Sequence, residues 1–178
     1  AGGLAPGSAL DLACGEGGDA LWLAARGWRV MAVDFAAAAL RRGAAHAAAE
    51  GVAERITWVQ ADLGSRWRPP GTFDLVSVQF LHTPHMATRD AALRVAWAAT
   101  AGTLLVVAHD PANLTEGCGG GPPDPAVLYG PADVLAALGL AEDDPAVRTA
   151  QTLRREGEAG TWVDAVVVLH REDQPPGG

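Results

Sequence analysis

The chain has 178 residues, 49% of them hydrophobic, and a formal net charge of −8. Its length fits one domain, residues 1–178, with a full hydrophobic core, and so apolar a composition excludes wholesale disorder. The acidic balance argues against a broad nucleic-acid or anionic-membrane footprint, and arginine pairs such as Arg41/Arg42 and Arg154/Arg155 are scattered along the chain.

Strand and helix patterns alternate along the chain, which predicts a mostly parallel sheet covered on both faces. The first strand is expected at Ala9–Ala13, followed by a helix from Gly18 to Arg26 that stops at Gly27. A second strand, Val30–Asp34, leads into an Ala-rich helix over Ala36–Glu50 with Leu40, Ala44 and Ala47 on one stripe. The third strand, Ile56–Ala61, ends at Asp62, and the fourth, Phe73–Leu81, is apolar enough to be buried on both faces. A helix from Thr88 to Ala99 precedes the fifth strand, Thr103–Ala108. The stretch 110–130 is rich in Gly and Pro and too long for a simple connector, which reads as a lid. A short helix from Pro131 to the residue before Gly139 follows. Val147–Arg155 and Thr161–Arg171 then form a hairpin, so the last strand runs antiparallel to its neighbour. The tail, 172–178, is expected to be disordered.

The chemistry concentrates near the start. Asp11-Leu12-Ala13-Cys14-Gly15-Glu16-Gly17 leaves the first strand as a glycine turn, and Asp34 stands at the tip of the second strand, 19 residues after Gly15. In an α/β sheet such a unit binds an adenosine-containing cofactor: glycines allow close backbone approach, and the strand-end acid takes the ribose hydroxyls. Asp11, four residues before Gly15 inside the strand, favours S-adenosylmethionine over a dinucleotide. A buried carboxylate needs a partner, which the cofactor's ammonium group can supply; capping of nearby amides is the plainer role. Phe35 can lie against the adenine or simply rim the core. Gln79, at the carboxyl end of the fourth strand, is placed to hold the methionine moiety.

On these motifs the chain resembles the class I S-adenosylmethionine-dependent methyltransferases, most of all the small-molecule enzymes of the tellurite-resistance and thiopurine type. The resemblance implies a Rossmann-like, seven-stranded, mostly parallel sheet with an antiparallel C-terminal hairpin strand and helices on both faces. It implies a cofactor-facing turn of Ala13, Cys14, Gly15 and Gly17, with Ala13 where the family usually has glycine and Cys14 also readable as a small packed hydrophobe. It assigns the ribose to Asp34, the adenine amino group to Asp62 and an adenine ring nitrogen to the Leu63 backbone N–H. A helical segment that covers the cofactor usually precedes the first strand; only eight residues do so here, so that cap is expected to be missing.

The acceptor side is carried by His82 and His109, as proton acceptors or orienting groups, with His85 and Asp110 in the same neighbourhood. Three histidines and a carboxylate also make a usable metal set, although nothing in their spacing fixes a geometry, and no metal is expected. Two cysteines, Cys14 and Cys118, form neither a disulfide framework nor a zinc spacing, so a reducing cytoplasm is the expected compartment. The reading is methyl transfer from S-adenosylmethionine to a small molecule, with no nucleic-acid or membrane partner. The alternatives are an NAD(P)-dependent oxidoreductase, because Ala13-x-Gly15-x-x-Gly18 half-matches the dinucleotide fingerprint, and a non-catalytic module of the same fold.

Overall fold

The computed structural model describes residues 3–118, 121–158 and 160–171; the expected disordered tail, 172–178, lies outside them. Seven strands form one sheet: β1 (Ser8–Leu12), β2 (Arg29–Asp34), β3 (Ile56–Gln60), β4 (Phe73–Gln79), β5 (Thr100–His109), β6 (Val147–Gly157) and β7 (Gly160–His170). Among the described residues four α-helices accompany them: α1 (Gly18–Ala25), α2 (Ala37–Ala49), α3 (Met86–Ala98) and α4 (Pro131–Leu138). The spatial order is β3-β2-β1-β4-β5-β7-β6. β1 through β5 pair in parallel, whereas β7 is antiparallel to both β5 and β6. The expected doubly covered sheet with a terminal hairpin is the observed architecture.

The central strands are apolar because both faces are buried: Leu10, Leu12, Val33, Val76, Val78, Leu104 and Val106 all lie in one cluster, closed from one side by Leu93, Val134 and Leu135. A second cluster packs Leu21, Leu23 and Ala24 of α1 on Ala9, Val30 and Leu75. Helix α2 forms from an alanine run of high intrinsic propensity and buries a stripe of Ala39, Leu40, Gly43 and Ala47. Gly43 takes the place expected for Ala44 because the Trp58 ring occupies that face; a Cβ on Gly43 would stand 2.5 Å from the indole.

Several boundaries differ from expectation. Ala13 and Phe80 leave their strands early, since both adopt left-handed φ, at 58° and 53°. β5 starts at Thr100 because a register shift lets Phe73 pair with it ahead of Leu75 with Thr103.

Because β1, β2, β4 and β5 are parallel, their carboxyl ends share one edge. The antiparallel hairpin brings its turn to that same edge: His109 of β5 is in register with Asp164 of β7, and Leu153 of β6 with Asp164. That edge carries the site.

Candidate active site

Beyond β1 the chain turns through Ala13, Gly15 and Gly17, all at positive φ. The turn is held in place by β2. Cys14 N–H donates to the Val33 carbonyl at 3.1 Å, and Gly15 N–H donates to Asp34 Oδ2 at 2.9 Å. Asp34 Oδ1 accepts from Ala36 N–H at 2.8 Å, so this carboxylate fixes both the glycine turn and the entry to α2. Each oxygen keeps a further lone pair for a ligand hydroxyl. A Cβ on Gly17 would fall 2.3 Å from the Trp58 ring, so packing alone requires glycine there.

A cleft of about 620 Å³ opens here. Ala13, Asp34, Phe35, Asp62 and Leu63 line one side, and Phe80, Leu81, His82, Thr83 and His85 the other. Phe35 is 73% exposed, which leaves its ring available to a ligand. Asp62 Oδ1 accepts from Gly64 N–H at 2.8 Å, a local turn that presents Leu63 to the cleft.

Asp11, on β1, does not line the cleft; it is 2% exposed, and its Oδ2 has no hydrogen-bond partner among the described residues. Burial, reinforced by Asp19 and Asp34 and offset by the Ala20 N–H, pushes its carboxyl up to about 8. Asp19 is raised by burial too, while a hydrogen bond from Gln79 lowers it. Gln79 Nε2 also donates to Ser77 Oγ at 3.2 Å. The capping role foreseen for Asp11 therefore satisfies only part of it, and Asp19 and Asp34 set two further carboxyl groups near it. The Cys14 thiol is pushed up by burial and by Asp11, so it stays a neutral packed group.

On the acceptor side, His82 Nδ1 stands 3.1 Å from the Val127 carbonyl. A carbonyl only accepts, so Nδ1 carries the hydrogen and Nε2 the lone pair. Nε2 is buried and has no partner among the described residues. Burial, with His109 nearby, lowers the His82 pKa and keeps the ring neutral. The two imidazoles stack at 5.3 Å with 4° between planes, and Trp162 continues the stack beyond His109 at 5.5 Å. Phe80 lies 4.7 Å from His109.

Asp110 does not join them. Its Oδ1 accepts from Ala112 N–H at 2.9 Å and its Oδ2 from Thr152 at 2.8 Å, so it caps the 3-10 turn Pro111–Leu114. His85 stays at the cleft rim, and no metal-type group of three or more His, Cys, Asp or Glu occurs among the described residues.

Sequence reasoning passed over Asp164, Arg155 and Tyr129. Asp164 Oδ1 lies 3.0 Å from His109 Nδ1, and Oδ2 accepts from Arg155 Nε at 3.1 Å and Nη2 at 3.0 Å. The signal was present: an acid inside Trp162-Val163-Asp164-Ala165-Val166 is the same anomaly that singled out Asp11. Tyr129 is fully buried, its hydroxyl without a hydrogen-bond partner among the described residues, 5.8 Å from His82 ring to ring.

Residues 9–101 match the methyltransferase domain family, more than half of the chain, and the protein belongs to that family of enzymes. Among solved structures it is similar to an S-adenosylmethionine-dependent methyltransferase of Methanosarcina mazei, at 16% identity and a TM-score of 0.71, covering 92% of each chain. It is also similar to magnesium protoporphyrin IX methyltransferase of Synechocystis with bound S-adenosylhomocysteine, at 19% identity and a TM-score of 0.70, covering 94% of this chain and 75% of that one. TehB of Haemophilus influenzae gives 16% identity and a TM-score of 0.70, covering 95% of this chain and 59% of that one. At these identities the likeness establishes the fold alone. No curated protein matches by sequence.

Proposed function

We propose that this methyltransferase, working as a single catalytic domain in the reducing cytoplasm, uses S-adenosylmethionine to methylate a small molecule, within the tellurite-resistance and thiopurine branch. The observation that carries the cofactor is the cleft walled by Asp34, Phe35 and Asp62, with the buried Asp11, whose Oδ2 has no partner among the described residues, on the strand next to that of Asp34. Asp11 would hold the ammonium group, Asp34 the ribose hydroxyls, Phe35 a face of the adenine, and Asp62 with the Leu63 N–H its polar edge. When bound, the cofactor supplies a sulfonium methyl: the bond from acceptor to carbon forms as the sulfur–carbon bond breaks, its electron pair staying on sulfur. The chain's own part is to orient both reactants and to keep water out.

Among the described residues, Asp34 and Asp62 are the only Asp, Glu, Lys or Arg lining the cleft. That favours an uncharged acceptor over an oxyanion, and so the thiopurine side of the branch. The test is titration calorimetry with S-adenosylhomocysteine and NADH. Saturable binding of the former alone is expected; binding of NADH alone would reverse the reading.

A further inference from the structure

We propose that Asp164, anchored by Arg155, is a positioning residue that holds His109 as its Nδ1–H tautomer, so that Nε2 takes the proton of an acceptor bearing a hydroxyl or thiol on a planar ring. The inference rests on the methyl-transfer reading above and adds to it the class of acceptor.

The groups facing His109 are few. Asp164 of β7 meets Nδ1, Arg155 of β6 stands behind Asp164, His82 and Trp162 cover the ring faces, and Phe80 lies beside it. A carboxylate on Nδ1 makes that nitrogen the hydrogen-bearing one, which leaves the lone pair on Nε2. Arg155 prevents Asp164 from turning away, because both its Nε and Nη2 hold Oδ2. Nε2 has no partner among the described residues. Gly121 passes against that edge, where a Cβ would stand 2.7 Å from Nε2, so a side chain there would block it.

A network serving only stability would need neither a nitrogen left without a partner among the described residues nor a stacked second imidazole lining the cleft. Phe80, partly exposed, and His82 put an aromatic ring and an imidazole on the cleft lining, surface suited to contact with an aromatic acceptor. As the acceptor's oxygen or sulfur bonds to the methyl carbon, its proton passes to Nε2, and the imidazolium so formed is stabilised by Asp164 and later loses the proton to solvent. An acceptor without a removable proton would make no use of this pair.

The test is imidazole ¹⁵N NMR of the full chain with S-adenosylhomocysteine. His109 is expected as the Nδ1–H tautomer, and its Nε2 resonance should move on addition of phenol or thiophenol but not anisole, which has the ring without the proton. In Asp164→Asn, Arg155 will claim the amide oxygen and turn the NH₂ toward Nδ1. His109 should then switch to the Nε2–H tautomer and the phenol response vanish, with affinity for S-adenosylhomocysteine changed by no more than about twofold. A wild-type Nε2–H tautomer, an Nε2 resonance indifferent to both phenol and thiophenol, or an equal response to anisole overturns the proposal. The wild-type spectrum decides even if the variant fails to fold. Failure to bind S-adenosylhomocysteine would instead strike at the cofactor reading itself.

Discussion

Replacing Asp11 by Asn offers the sharpest check on how this site stores free energy. In the ligand-free fold burial lifts the carboxyl from 3.8 to about 8, so across that window the folded chain holds a proton that the unfolded chain has lost. Stability must therefore fall as pH rises from 4 to 8, and return as pH falls. Each unit corresponds to about 1.4 kcal/mol, so the limiting penalty near pH 8 is on the order of 5 kcal/mol. Asparagine has nearly the same shape and never ionises. Urea denaturation of the ligand-free proteins should find the two equal near pH 4 and the variant more stable by several kcal/mol near pH 8. Cofactor binding should show the same group from the other side. A carboxyl with a pKa of about 8 is roughly nine-tenths protonated at pH 7, so pairing it with an ammonium group releases close to one proton. Calorimetry of S-adenosylhomocysteine binding in buffers of different ionisation enthalpy measures that release directly. The variant should release none and bind at least about tenfold more weakly. Parallel pH dependences of stability in the two proteins, or binding without proton release in the wild type, would refute the assignment of Asp11.

Asp34→Ala removes the acceptor for two backbone N–H groups, at Gly15 and Ala36, as well as the proposed ribose contact. It should cost about 1–3 kcal/mol of stability and between roughly ten- and a hundredfold in S-adenosylhomocysteine affinity; unchanged affinity in a folded variant would displace the ribose from this strand tip. Phe35→Ala, at a ring 73% exposed, should change stability by no more than about 0.5 kcal/mol while weakening nucleoside binding several-fold by calorimetry. Gly17→Ala and Gly15→Ala separate packing from backbone strain: both sit at positive φ, but only Gly17 abuts Trp58. Chemical denaturation should give about 1 kcal/mol for Gly15 and about 2–4 kcal/mol for Gly17; equal losses would show that the indole moves freely. A thiol-specific chromogenic reagent should label exposed Cys118 rapidly and Cys14 only on unfolding, because burial holds the Cys14 thiol far above its usual range.

The alternation of apolar runs with Gly-closed helices determined the order of the elements, because burial on both faces demands continuous hydrophobic strands. The spacing from Gly15 to Asp34 likewise placed two residues that the sheet then joins by a hydrogen bond. Local chemistry of that kind is written in short stretches of chain. What the sequence could not decide was which distant residues meet. Asp110, adjacent to His109, turns away to cap its own loop, whereas Asp164, far along the chain, reaches the imidazole through the register of an antiparallel pair. A one-residue slip of β7 against β5 would take Asp164 out of register with His109, so its partner exists only once the whole sheet has set the register.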